Sequence, residues 1–133
     1  MIMSSAEPDY EAQISTAIRR FYTLVRRDDL IGPIFRAAVP DDHWDAHIEK
    51  IASFWHKVIL GKQGYDGFPM RVHVMLPGLE AEHFERWLSL FSPSCRTACD
   101  GELAERMISK AEMMARSFRM GIAFYREQQA KAV

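Results

Sequence analysis

Between Pro69 and Pro77 the chain reads MRVHVML, and no stretch has less freedom in what it can become. Proline cannot donate to a helix interior, and it pushes the residue before it out of helical geometry. The piece is therefore at most a short helical turn or an extended segment. Gly61, Gly64 and Gly67 break regular structure before it, and Pro77-Gly78 breaks it after. It carries one histidine, His73, flanked by Val72, Val74, Met75 and Leu76. A histidine on so short an apolar piece is either a satisfied core residue or a ligand for something large and apolar.

The rest of the chain reads as helix. Ile14, Ala17, Ile18, Phe21, Tyr22 and Val25 fall at spacings of three and four, which predicts a helix from about Asp9 to Arg27, with Asp9 as its N-cap. Asp28, Asp29 and Gly32-Pro33 stop it, and Pro33-Ile34-Phe35 begins a short turn. Pro40-Asp41-Asp42 opens a second long helix, one aspartate capping it, with the stripe Trp44, Ile48, Ile51, Phe54, Trp55, Val58 and Ile59. His47 lies on this stripe and points inward; His43 and His56 flank it and face solvent. A third helix starts near Glu80, buries Phe84, Trp87, Leu88 and Phe91, and ends before Pro93. A fourth runs from about Gly101 to Gln128. No segment has the strict alternation of a strand, so the expected class is all-α. One domain is expected over 1–133, with flexible tails at about 1–8 and 129–133.

Composition removes several functions. Net charge is −1, and the 17 basic residues are dispersed, so neither a nucleic-acid footprint nor a polybasic membrane patch is expected. No apolar run approaches the ~20 residues that span a bilayer. The opening MIMSSAEPDYEAQ is polar and shows no signal peptide, which predicts a cytoplasmic protein. Cys95 and Cys99 are spaced C-R-T-A-C, which is neither C-x-x-C nor C-x-x-C-H. That excludes covalent c-type haem attachment and predicts two free thiols. His43 and His47 have a metal-ligand spacing, but HWDAH lacks the glutamate of a zincin.

Four polar side chains point inward from four separate elements: Tyr22, His47, His73 and the Trp87 indole. An apolar core would have to satisfy every one internally. A haem accounts for them more simply, with one imidazole on the iron, the porphyrin in the apolar slot and donors facing a bound diatomic.

FYTLVRRDDLIGPIF, WDAHIEKIASFW, YDGFPMRVHVMLP and HFERWLSLF occur in that order, and together they resemble the group III truncated haemoglobins. The resemblance runs from about Ile14 to Phe124. It implies a two-over-two helical sandwich around haem b, with the proximal helix cut to little more than a turn. It implies His73 as the proximal ligand to iron. Tyr22 corresponds to the distal tyrosine that donates to the bound ligand, His47 to a distal-helix histidine that can gate access, and Ile51 to the apolar distal position. Trp87 matches a distal indole donor. Phe35 matches the phenylalanine that packs on the porphyrin, with Phe21, Phe54 and Trp55 as further wall. Arg71, His83 and Arg86 are propionate candidates on charge and position alone.

The function expected from this resemblance is reversible binding of O₂, or of CO or NO, at ferrous iron, for capture or delivery. The alternative is an oxidoreductase, by NO dioxygenation or peroxide chemistry, that draws electrons from an unidentified external reductase. No side chain is singled out as catalytic.

Overall fold

A computed structural model of the protein describes residues 8–62 and 79–131. His73, Arg71 and the rest of the piece between Pro69 and Pro77 lie outside the described residues. Helix α1 is Tyr10–Arg27, α2 is Gly32–Ala38, α3 is Trp44–Leu60, α4 is Ala81–Ala98 and α5 is Gly101–Lys131. A single 3₁₀ turn, Asp41–His43, leads into α3. Among the described residues there is no strand.

Helix α1 forms as its pattern predicts. The Asp9 carboxylate accepts from Ala12 N at 3.0 Å, Glu11 sits in the first turn, and Arg26 and Arg27 sit in the last. Both charge placements favour the helix dipole. Its buried face is Ile14, Ala17, Ile18, Phe21, Tyr22 and Val25. Helix α3 ends at Gly61, whose φ of 72° is left-handed and whose N–H returns to the Lys57 carbonyl. Gly32 at the head of α2 is required for another reason. A Cβ there would stand 2.9 Å from the Val25 carbonyl oxygen, so any side chain would drive α2 off the end of α1.

Helix α1 packs against α3 and α4, and α4 packs against both α1 and α5. The result is one pair, α1 with α3, laid over a second, α4 with α5. The apolar interior is in two parts. The larger holds Ile14, Ile18, Phe21, Trp55, Phe91 and Met107. The smaller holds Leu79, Phe84, Ala115, Phe118 and Ile122. Trp87 and Leu88 pack against both parts.

Three details depart from the sequence reading. First, α4 does not stop at Pro93 but continues to Ala98. An interior proline removes one hydrogen bond and costs about 3 kcal/mol in a helix. Here Phe91, Ser94 and Cys95 on either side of it are no more than 1% exposed, and their packing outweighs that cost. Ser94 Oγ also donates to the Leu90 carbonyl at 2.8 Å. Second, neither Asp41 nor Asp42 caps α3. Asp41 pairs with Arg26 at 2.9 Å and Asp42 with His43 at 3.1 Å, while the 3₁₀ turn takes up the helix start. Third, His56 is half-buried rather than solvated. Its Nε2 lies 3.1 Å from the Glu11 carbonyl and 3.2 Å from Ser15 Oγ, joining α3 to α1.

Candidate functional site

Tyr22, on α1 one turn before Arg26, is 6% exposed, and four rings surround it. Phe21 lies edge-on at 4.9 Å between centroids, Phe35 of α2 at 6.0 Å, Trp44 of α3 at 6.1 Å, and His47 perpendicular at 5.1 Å. Edge-to-face contacts at these distances match the preference of aromatic quadrupoles. The α1 and α3 stripes put Tyr22 and His47 opposite each other, and the start of α2 swings Phe35 onto the same group. The structure thus brings together three residues from three elements that the sequence nominated separately.

Trp87 joins them at one remove. It meets Phe21 edge-on at 5.7 Å and stacks on Phe91 at 5.3 Å. Its other side borders an apolar cavity lined by Ile31, Phe35, Leu79, His83, Phe84 and Phe118. This cavity lies between the two parts of the interior. Ile31 packs in the larger part and Phe35 against it, while Leu79, Phe84 and Phe118 belong to the smaller. Ile51 and Phe54 are half-buried on α3. Phe21 and Trp55 lie deeper, 1% and 2% exposed, and Trp55 stacks on Phe91 at 5.1 Å.

The charged neighbours are structural. Arg86 donates to Asp28 at 2.8 Å, and the same carboxylate accepts from Leu30 N and Ile31 N, both at 2.9 Å. Burial by itself would raise the Asp28 pKa. The hydrogen bonds from Ile31, Arg86 and Leu30 outweigh it and hold the carboxyl below its ordinary value. His83 Nδ1 accepts from Glu80 N at 2.8 Å and so caps α4. Burial pushes the Cys95 thiol up to about 12 and the Cys99 thiol up to about 11, which favours the protonated form of both at neutral pH.

One site residue escaped the sequence reading. Trp44 was assigned only to the stripe of α3, yet its ring lies 6.1 Å from His47 as well as from Tyr22. The signal available in the sequence was its place one helical turn before His47.

The lining chemistry suits a flat apolar group. Rings and aliphatic chains form the walls, and Tyr22 reaches the cavity through its edge contact with Phe35. The open centre is about 20 Å³, room for about one water, so a porphyrin fits only as the lining side chains draw back.

The fold is an all-α arrangement of two packed helix pairs with an aromatic cavity between the two parts of its interior. The chain belongs to the bacterial-like globins, whose family model matches residues 10–120. Among characterised relatives, it is 36% identical over 110 residues to the group 3 truncated hemoglobin ctb of Campylobacter jejuni. That match covers 81% of this chain and 87% of the relative. The crystal structure of the group III truncated hemoglobin from Campylobacter jejuni superposes with a TM-score of 0.80 at 32% identity. It covers 92% of this chain and 95% of that one. The all-α two-over-two architecture expected from the sequence is therefore the fold.

Proposed function

We propose that the chain holds haem b in the slot between its two apolar parts and reversibly binds O₂ there, with CO and NO as competing ligands. The observation that carries this reading is the divided interior: an aromatic slot with Tyr22 and His47 gathered beside it. Bound haem supplies a ferrous iron that coordinates diatomic gases.

The protein's own residues do the rest. His73 is the proposed proximal ligand, by its place in the sequence. Phe35 would pack on the porphyrin, with Phe21, Phe54 and Trp55 as further wall and Ile51 at the apolar distal position. The Tyr22 hydroxyl would donate a hydrogen bond to the bound diatomic, and the Trp87 indole would be a second donor. His47 stands at the approach and narrows it when its ring turns in. Arg71 is the proposed propionate partner. Among the described residues no helix is long and apolar enough to cross a membrane. Two unpaired thiols suit a reducing compartment, and we place the protein in the cytoplasm.

The crowding of polar rings around Tyr22 favours a second reading. Several donors on one negatively polarised ligand slow its release, which suits NO dioxygenation or peroxide chemistry better than delivery. Turnover would then draw on an external electron donor.

His73→Ala tests the cofactor assignment. The variant is expected to lose tight haem binding while keeping its helical circular dichroism. Retention of a normal five-coordinate ferrous spectrum would move the ligand to another residue.

A further inference from the structure

Trp44 is 4% exposed, and its indole Nε1–H has no hydrogen-bond acceptor among the described residues. Buried N–H groups are nearly always paired, and an unpaired one is a standing cost that calls for a partner beyond the described residues, a bound ligand among them. The ring meets Tyr22 and His47, both at 6.1 Å and both edge-to-face. The Arg26 guanidinium lies over it at 5.0 Å and is itself held by Asp41 at 2.9 Å. A cation on the ring face draws electron density from the indole and makes its N–H a better donor. Among the described residues, the charge that rests on the ring face is positive.

We propose that Trp44 is a further donor of the distal side, and that its N–H selects for anionic or strongly polarised ligands over neutral ones. The proposal rests on the haem reading above and assigns Trp44, not an extra shell of packing, to that ligand's recognition. It divides the work between aromatic residues. Tyr22 donates from α1, Trp87 from α4, and Trp44 from the first turn of α3, beside the histidine that guards the approach. Ligands without charge, such as CO, gain little from such a donor. Anions gain a charge-assisted bond.

Two variants separate the N–H from the bulk of the ring: Trp44→Phe, and Trp44 replaced by 3-benzothienylalanine, which keeps the indole shape without the donor. In the ferric holoprotein, azide affinity is expected to fall about tenfold in both. CO affinity of the ferrous form is expected to stay within about twofold in the benzothienyl variant. The apoprotein supplies a readout free of haem. There the benzothienyl variant is expected to be at least as stable to urea as the parent, because an unpaired buried donor has been removed. Unchanged azide affinity, or equal losses for azide and CO, overturns the proposal. So does a benzothienyl apoprotein less stable than the parent, since the N–H would then be bonded within the protein, for example to a ring face. If the parent chain takes up no haem, the cofactor reading fails instead, and the apoprotein comparison still reports whether the N–H is paired.

Discussion

Tyr22 and His47 sit with perpendicular rings 5.1 Å apart, and their positions predict different failures when each is altered. On the proposed reading Tyr22 is the donor, so Tyr22→Phe would remove a charge-assisted hydrogen bond worth about 1.5–3 kcal/mol. The O₂ dissociation rate is expected to rise about tenfold to a hundredfold, less where Trp87 compensates. On the same reading His47 is proposed to obstruct the approach, so His47→Ala is expected to speed CO association. It should raise O₂ dissociation less than Tyr22→Phe does. Flash photolysis and stopped-flow mixing on both variants decide the matter. Untouched CO association together with faster O₂ loss from His47→Ala would exchange the two roles. Both residues were legible in the sequence, because a spacing of three and four fixes which side of a helix faces in. Trp44 obeyed the same spacing and was read as filler. Periodicity tells which way a ring points, but not what its nitrogen meets.

Asp28 ends α1 and at once begins the next element, and the link is electrostatic. Its side chain is 7% exposed, accepts from two backbone N–H groups of the α1–α2 connection and is gripped by Arg86 of α4. The bond therefore holds Ile31, and with it one wall of the slot, against the second helix pair. A carboxyl whose folded pKa is depressed stabilises the fold above its ordinary pKa of about 3.9 and loses that contribution as pH falls through the lowered value. Asp28→Asn is expected to lower stability at pH 7 by about 1–3 kcal/mol, since buried N–H groups lose a charged acceptor. Urea midpoints measured from pH 7 down to pH 2.5 should drop less steeply for the variant than for the parent below pH 4. Parallel curves would mean that Asp28 titrates alike in folded and unfolded chains. None of this showed in the sequence, where Asp28-Asp29 served only as a stop signal. Arg86 is far along the chain, and nothing local announces the pairing. Pro93 misled for the opposite reason. A local rule ended the helix there, while the burial of Phe91, Ser94 and Cys95 carried it on to Ala98.

The molecule as a whole follows from its helix pattern more directly than from any one contact. Four amphipathic stripes and a short Pro33 turn suffice to derive an all-α chain; the two-over-two arrangement came only with the family resemblance. The order of motifs supplied the family. What the pattern could not supply was the division of the interior into two parts with Trp87 touching both. That division depends on which ends of α4 and α5 meet α2, a matter of packing angle rather than periodicity. The cavity between those parts is lined by rings and aliphatic chains that must draw back for a large flat group, and so the proposal that a haem fills the slot is central. The most direct check is the absorption spectrum of the purified protein, reduced with dithionite, before and after CO. A histidine-ligated haem in an apolar slot predicts a ferrous Soret band that sharpens and shifts on CO, with a stoichiometry of one haem per chain. A spectrum that matches free haem in buffer, unchanged in the presence of the protein, would contradict the account.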